Sequence, residues 1–138
     1  MITCIVDDGE DLDIIYLDFA NAFNKVPHQR LLSKLQDVGI CGRLLDWISS
    51  WLSNRKQRVG IRGKFSSWRD AFSGVPQGSV LGPVLFLIFI NDIDEGLVSH
   101  ILKFADDTTI INTVSNKVLL QNDLNSLTSW SQKKADEV

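Results

Sequence analysis

Two short apolar segments near opposite ends of the chain, each next to aspartate, constrain the fold more than any other feature. Residues 14–17 are β-branched, aromatic or aliphatic, as in a buried strand, and Asp18 follows them directly. Residues 101–104 and 108–111 have the same character, and the three residues 105–107 between them include two aspartates. We therefore predict a hairpin with two acids at its tip, in a sheet that joins distant parts of the chain.

Four segments of the chain have helical character. Apolar residues recur at three- and four-residue steps in three segments, at residues 27–38, 44–52 and 116–130. The apolar run at 80–90 predicts a core helix that continues towards Ile93 and is capped by Ser79. An alternating, basic stretch at 57–69 predicts a two-stranded ribbon, and the Gly- and Pro-rich residues 73–79 predict a loop. This order of elements predicts an α+β fold.

Composition and charge limit the classes of protein that remain. A chain of 138 residues with 44% hydrophobic residues suits one globular domain and is too apolar for intrinsic disorder. The apolar run at 80–90 is about half the roughly 20 residues that span a bilayer. The formal charge of -3 predicts no general affinity for polyanions, so any contact with nucleic acid must be local. The ribbon concentrates cations that either follow a phosphate backbone or face solvent, namely Arg55, Lys56, Arg58, Arg62, Lys64 and Arg69.

The aspartates carry the candidate chemistry. If the strands pair, Asp18, Asp106 and Asp107 gather at one end of the sheet, where their charges repel unless a divalent cation is bound. Oxygen ligands without a His cluster or a CxxC pair favour Mg2+ or Mn2+ over zinc. Two such ions about 3.5 to 4 Å apart can activate a hydroxyl and stabilise a leaving pyrophosphate. On the residues alone a plainer alternative also stands, because an Asp after a strand is often a turn residue or a helix cap.

Three longer segments add a resemblance to a known family. IIYLDFANAFNKVPHQRLLSKL, SGVPQGSVLGPVLFLIFINDI and LKFADDTTI resemble, in order and spacing, successive reverse transcriptase motifs of non-LTR (LINE-type) retrotransposons. The resemblance implies an RNA-directed DNA polymerase with a palm-like antiparallel sheet packed against helices, a fragment of a right-hand reverse transcriptase. Residues 1–138 would then be a partial reverse transcriptase domain, the palm with part of the fingers. Most of the fingers and the thumb would be absent, and we expect the isolated chain to be inactive.

By this resemblance, the aspartates form a catalytic and metal-binding group. Asp18 would be the first metal ligand. Asp106 and Asp107 would be the pair on the palm hairpin, with Asp106 favoured as the direct ligand. Phe19 would lend its backbone carbonyl oxygen to a metal, and the implied cofactors are two Mg2+ (or Mn2+) ions.

The resemblance also implies contacts with the substrate. Phe23 would lie beneath the sugar of the incoming nucleotide and exclude a 2′-hydroxyl, and the alternative is a core phenylalanine. Gln77 and Gly78 would contact the incoming nucleotide and the template, and the alternative is an ordinary turn before a helix. Asn24 stands where relatives usually have Asp, so we expect the local hydrogen bonding there to differ.

The implied partners are an RNA template, a DNA primer and deoxynucleoside triphosphates, with no membrane. The remaining fingers, the thumb and the endonuclease would be segments of a parent polyprotein that this chain lacks. We expect an intracellular location, in the nucleus or cytoplasm. His28 has no acid or nucleophile at a useful spacing and is interpreted as structural. The tryptophans are interpreted as core residues, namely Trp47, Trp51, Trp68 and Trp130.

Two other functional classes remain open. The first is a catalytically inactive retroelement relic, or a recruited interaction module, that keeps the palm without turnover. The second is a different two-metal enzyme on a palm-like sheet, such as a nucleotide cyclase, although the segment SGVPQGS argues against it. Primer extension with and without Mg2+ separates the relic from the polymerase, and template dependence separates the cyclase.

Overall fold

The chain folds as two units in the structure, a computed structural model that describes residues 9, 11–19 and 21–135, without the side chains of residues 134 and 135. The first, called the sheet unit, contains the described residues up to Phe19 and those from Ile90 onward. The second, called the helix–ribbon unit, contains Asn21–Phe89. Each unit is described separately below.

Strands and helices occur in separate groups along the chain, as is typical of an α+β fold. The strands are β1 (Leu12–Asp18), β2 (Arg55–Gln57), β3 (Gly60–Ile61), β4 (Lys64–Phe65), β5 (Arg69–Ala71), β6 (His100–Phe104) and β7 (Asp107–Thr113). The α-helices are α1 (His28–Asp37), α2 (Arg43–Leu52), α3 (Leu81–Phe89) and α4 (Lys117–Ala135), and short 3-10 turns occupy Ala22–Asn24 and Val114–Asn116. These elements confirm the predicted α+β class.

The sheet unit is built on one three-stranded antiparallel sheet with the order β1-β7-β6. The register pairs Leu12 with Thr113 at one end and Asp18 with Asp107 at the other. One face of the sheet packs against α4 around a buried cluster of Ile93, Ile110, Leu120 and Leu127. The prediction that strands from distant parts of the chain meet in one sheet is therefore confirmed.

A buried carboxylate ties α4 to the chain that enters β6. Asp123 on α4 is 3% exposed and accepts hydrogen bonds from the backbone N–H groups of Val98 and Ser99, at 3.2 and 2.8 Å. Burial alone would raise the pKa of this carboxyl. The hydrogen bonds from the Ser99 hydroxyl and from the two backbone N–H groups outweigh burial and lower the pKa below its ordinary value.

The helix–ribbon unit has its own core, formed where α1 packs against α2 and α3. Its buried apolar residues are Val26, Leu31, Leu35, Ile48, Leu52, Val75, Leu85, Phe86 and Phe89. The predicted cap of α3 is confirmed, because the Ser79 hydroxyl oxygen accepts the Gly82 N–H at 2.9 Å. The predicted continuation of α3 towards Ile93 is wrong, since the helix ends at Phe89.

The chain after α3 turns instead of remaining helical. The N–H groups of Ile93, Glu95 and Leu97 each bond the carbonyl oxygen three residues earlier, at 3.1, 3.2 and 3.3 Å. Short polar residues such as Asp92 and Asp94 favour such turns over helix, because their side chains compete for backbone hydrogen bonds. The apolar run was therefore a poor guide to where the helix ends.

The predicted ribbon is a long hairpin that extends from Arg55 to Ala71. β2 pairs with β5, β3 pairs with β4, and the Ser66 N–H donates to the Val59 carbonyl oxygen between the two ladders at 2.9 Å. Arg62 and Gly63 connect β3 to β4 with φ values of 49° and 79°. Two positive φ values in a two-residue connection are typical of a type I′ turn, whose twist matches that of the strands.

The interpretation of the tryptophans as core residues is wrong for two of the four. Trp47 is 55% exposed and Trp68 is 57% exposed. Ile48 and Leu52 carry the buried stripe of α2, and Trp47 lies one residue to the side of it. Trp68 lies on the exposed hairpin. None of the helices in the described ranges is both long and apolar enough to cross a membrane.

Candidate active site

The pairing of β1 with β7 brings two of the three predicted acids together. Asp18 and Asp107 are direct cross-strand partners. Directly opposed residues point to the same face of a sheet, with Cβ atoms about 4.5 to 5.5 Å apart. Both residues are exposed. Two carboxylates can therefore reach one cation from adjacent strands.

The third acid lies in the turn that joins β6 to β7. Phe104 pairs with Asp107, which leaves Ala105 and Asp106 as a two-residue connection. The prediction placed both acids at the hairpin tip, but Asp107 is the first residue of β7 and only Asp106 lies in the turn. The preference for Asp106 over Asp107 as the direct ligand stays a prediction.

The backbone of this turn is strained. Ala105 has a φ of 54°, a region that favours glycine, and Asp106 does not share the positive φ. A two-residue hairpin with positive φ at its first residue alone is typical of type II′, which normally has glycine there. Strain of this kind persists only where surrounding structure imposes it, and it is common at functional sites. Here the pairing of β6 with β7 on either side imposes it.

The paired acids lie on the face of the sheet that does not pack against α4. Side chains alternate along a strand, so Leu17 contacts the core while Tyr16 and Asp18 point to the other face. On that face Tyr16 is 79% exposed and Phe104 is 82% exposed. The acids are thus open to a ligand, with aromatic side chains beside them.

The residue after Asp18 anchors the end of β1 in the core. Phe19 is half-buried and packs against the core cluster, with its ring 6.2 Å from that of Trp130. The Trp130 indole N–H donates to the Asp92 carboxylate at 3.0 Å, which fixes the tryptophan. The predicted role of the Phe19 carbonyl oxygen as a metal ligand is not tested by these contacts.

The donor set fits a Mg2+ or Mn2+ ion for which the protein would supply only some of the ligands. Across residues 9, 11–19 and 21–135, no group of three or more His, Cys, Asp or Glu side chains has an arrangement that could hold a metal ion by itself. Mg2+ in polymerase-type sites is commonly held by one or two carboxylates together with substrate phosphates and water. The pair Asp18 and Asp107 supplies that number of ligands.

The other predicted site residues lie in the helix–ribbon unit. Phe23 is half-buried in the 3-10 turn, and its ring stacks on that of Phe86, with centroids 4.5 Å apart and planes 24° apart. Phe86 is 2% exposed, so one face of Phe23 rests on the core. Gln77 and Gly78 are exposed, and Gln77 lines a cavity of about 140 Å³ together with Arg55 and Lys56.

A set of hydrogen bonds joins the segment around Phe23 to the loop around Gly74, which sequence reasoning did not find. The Val75 N–H donates to the Phe23 carbonyl oxygen at 2.7 Å, and the Gly74 N–H donates to that of Val26 at 2.8 Å. His28 Nε2 lies 2.8 Å from the Gly74 carbonyl oxygen. A carbonyl only accepts, so this nitrogen carries the proton and the structural interpretation of His28 is confirmed.

Asn24 takes part in the same set of hydrogen bonds through its backbone. The Ser73 hydroxyl donates to the Asn24 carbonyl oxygen at 2.9 Å. Gly74 has a φ of 89°, and a Cβ placed there would lie 2.8 Å from the Asn24 backbone. Glycine is therefore required for this close approach. In the sequence, the signal for this contact is that both segments belong to motifs of the reverse transcriptase resemblance.

Comparison with known proteins identifies the family. Residues 4–138 match the family described as reverse transcriptase (RNA-dependent DNA polymerase). The chain belongs to the reverse transcriptase family. The match covers nearly the whole chain, and it confirms the resemblance drawn from the three sequence motifs.

Curated reverse transcriptase relatives come from mobile elements. The chain is 30% identical over 139 residues to the probable RNA-directed DNA polymerase from transposon BS of Drosophila melanogaster, covering 92% of this chain and 15% of that protein. It is 34% identical over 131 residues to the RNA-directed DNA polymerase from mobile element jockey of the same species, and this match covers 85% of this chain and 14% of that protein. The chain thus spans about one seventh of the length of these relatives.

Proposed function

We propose that this chain is the palm, with part of the fingers, of an RNA-directed DNA polymerase that uses two-metal nucleotidyl transfer. The observation that carries the proposal is the pairing of Asp18 with Asp107 on the exposed face of the sheet. Membership of the reverse transcriptase family supports it. The substrates would be an RNA template, a DNA primer and deoxynucleoside triphosphates.

The reaction forms one phosphodiester bond and breaks one phosphoanhydride bond. The primer 3′-hydroxyl oxygen attacks the α-phosphorus, pyrophosphate leaves with the electrons of the α–β bond, and the hydroxyl proton passes to solvent. Two bound Mg2+ ions would make the hydroxyl more acidic and would neutralise charge on the leaving group. Asp18 and Asp107 would hold the cations from adjacent strands, and Asp106 lies one residue away in the turn between β6 and β7.

Residues of the helix–ribbon unit would orient the nucleotide. Phe23 presents a ring whose other face rests on buried Phe86, so it is a firm surface for the sugar. Gln77 and Gly78 are exposed on the loop that precedes α3 and are accessible to a base pair. The hydrogen bonds from Val75 and Gly74 join the segment around Phe23 to the loop that carries Gln77 and Gly78, which would keep the two proposed substrate contacts at a fixed spacing.

The proposal is tested by measuring how tightly the two carboxylates bind a metal ion. Mn2+, which is paramagnetic, replaces Mg2+ in a titration followed by electron paramagnetic resonance, with the melting temperature measured alongside. We expect Mn2+ to bind and to raise the melting temperature, because it relieves the repulsion between Asp18 and Asp107. Asp18→Asn with Asp107→Asn should abolish both effects.

A matched control removes the same charge elsewhere. Asp37→Asn with Asp46→Asn changes two exposed carboxylates on α1 and α2 and should leave Mn2+ binding as in the parent chain. Equal loss of binding in the two double variants would show only a general charge effect and would reject the site. Binding that survives the Asp18 and Asp107 substitutions would place the metal elsewhere and reject the site, whereas absence of Mn2+ binding in the parent chain would favour a non-catalytic relic of the polymerase.

A further inference from the structure

The helix–ribbon unit is strongly basic although the chain as a whole is acidic. Residues 21–89 contain ten Lys and Arg against three Asp, a formal charge of +7, whereas the remaining residues carry -10. Six of the ten cations lie between residues 55 and 69, on the exposed hairpin. An overall charge of -3 therefore conceals a local surface that attracts polyanions.

The cations of the hairpin are largely free to meet a ligand. Lys56 lies 3.8 Å from the Asp70 carboxylate across the β2–β5 ladder. In the described part of the chain, no carboxylate lies within ion-pair distance of Arg62 or Lys64 at the hairpin tip. Both side chains are exposed. Phosphate groups would therefore not have to displace a protein acid there.

Aromatic rings hold one arginine of the hairpin in a stack. The Arg58 guanidinium lies 4.0 Å from the ring centroid of Phe65 and 4.5 Å from that of Trp68. The Phe65 ring in turn covers Gly60, where a Cβ would come within 2.8 Å of it. Phe65 and Trp68 are 61% and 57% exposed. A planar, cationic stack with an accessible tryptophan at one end is a surface on which an unpaired base can stack.

We propose that the hairpin Arg55–Ala71 is a docking surface for single-stranded RNA. Phosphates would lie along Arg62, Lys64 and Arg69, and an unpaired base would stack on Trp68. Choosing RNA rests on the proposed function, in which an RNA template reaches Gln77; the hairpin would hold the unpaired part of that template. A cavity lies between the base of the hairpin and the loop that carries Gln77. Arg55 and Lys56 line this cavity together with Gln77, so the basic surface of the hairpin extends into it.

Duplexes fit this surface less well than single strands. Bases in a duplex are already stacked on one another, so they are not available to Trp68. Cations spaced along a narrow two-stranded hairpin can contact successive phosphates of one flexible nucleic-acid strand. Preference for an unpaired strand is thus the property that distinguishes this surface from a general basic patch.

The first test measures the salt dependence of binding. A fluorescein-labelled 20-nucleotide RNA of mixed sequence is titrated with the full chain in EDTA, and binding is followed by anisotropy at several salt concentrations. Arg62→Gln with Lys64→Gln removes two phosphate contacts, so the slope of log K against log salt should become shallower by about 1.4. Lys25→Gln with Arg43→Gln removes the same charge from exposed positions off the hairpin and should leave the slope unchanged.

The second test measures stacking. Trp68→Leu should weaken RNA binding about tenfold, the loss expected for one stacked base, whereas Trp68→Phe should retain most of the affinity. Tryptophan fluorescence quenched by RNA in the parent chain should be much less quenched in Trp68→Phe. Circular dichroism of each variant establishes that the hairpin substitutions leave the fold intact.

Several outcomes would overturn the proposal. These are equal salt slopes for the hairpin and control pairs, unchanged binding by Trp68→Leu, or tighter binding of duplex RNA or of single-stranded DNA of the same sequence. EDTA and the chain carrying Asp18→Asn and Asp107→Asn keep the result separate from metal binding. RNA binding by the parent chain without Mn2+ binding would reject the polymerase proposal alone, and Mn2+ binding by the parent chain without RNA binding would reject the docking surface alone.

Discussion

The two units of this chain differ in how their residues come together and in the charge they carry. The sheet unit joins β1 to β7, which lie about ninety residues apart in sequence, and its end of the sheet presents the acids Asp18 and Asp107. The helix–ribbon unit is one continuous segment, Asn21–Phe89, and its hairpin presents most of the cations. The proposed metal site takes its ligands from separate strands held at close spacing, whereas the proposed surface for a flexible polyanion needs only charges in a row.

The two units should depend on different residues for their stability. The helix–ribbon unit depends on a close backbone approach between two loops, at Gly74. The sheet unit depends on a buried carboxylate, Asp123, and includes a buried hydroxyl, Thr108, that has no hydrogen-bond partner among the residues that the structure describes. Three substitutions test whether each feature acts within its own unit. Hydrogen exchange of peptides from residues 21–89 and 90–135 reports on the units separately.

Gly74→Ala should have the largest effect and should act in the helix–ribbon unit. Its Cβ would meet the Asn24 backbone at 2.8 Å and its φ is 89°, so strain and crowding together should lower the free energy of unfolding by about 3 kcal/mol. Gly78→Ala is the control, because its φ is 83° but no atom lies within 4 Å of the added Cβ. That variant should lose only about 1 to 2 kcal/mol through backbone strain. Equal losses in denaturant unfolding would contradict the close approach at Gly74.

Asp123→Asn should destabilise the sheet unit by about 2 kcal/mol near neutral pH, since a charged acceptor of two buried backbone N–H groups is lost. The folded pKa of Asp123 lies below its ordinary value of 3.8, so the stabilisation is present in full above that pH. It is lost as the pH falls through the lower folded pKa. The difference between the parent chain and the variant in denaturant unfolding should therefore shrink below about pH 4. A difference that stays constant down to pH 2 would show that the carboxylate charge is not the cause.

Thr108→Val should have the smallest effect and should raise stability. The Thr108 hydroxyl is 1% exposed and has no hydrogen-bond partner among the described residues, so a methyl group in its place should gain about 1 kcal/mol. Thr109→Val changes the next residue of β7, which points to the other face of the sheet, and should change the melting temperature little. A lower melting temperature for Thr108→Val than for Thr109→Val would mean that this hydroxyl has a partner.

Local patterns were sufficient for much of the fold. Apolar periodicity placed α1 and α2 to within a residue or two, and β-branched runs placed β1, β6 and β7. The alternating, basic stretch at 57–69 placed the hairpin, whose tip the structure shows at Arg62 and Gly63. Patterns failed at Trp47, where an apolar residue lies beside the buried stripe of its helix. They also failed at the end of α3, where turn-forming polar residues interrupt an apolar run.

The amino-acid sequence alone specifies which chemical groups the chain offers. These groups are three acids next to strands, a Gly- and Pro-rich loop and a cluster of cations. Tertiary structure alone decided which of them meet. The strand register made Asp107, rather than Asp106, the direct neighbour of Asp18, and backbone hydrogen bonds joined the loop at Gly74 to the segment around Phe23. A shift of one residue in register would move every side chain of a strand to the opposite face. Packing across the whole sheet fixes that register, and no local pattern encodes it.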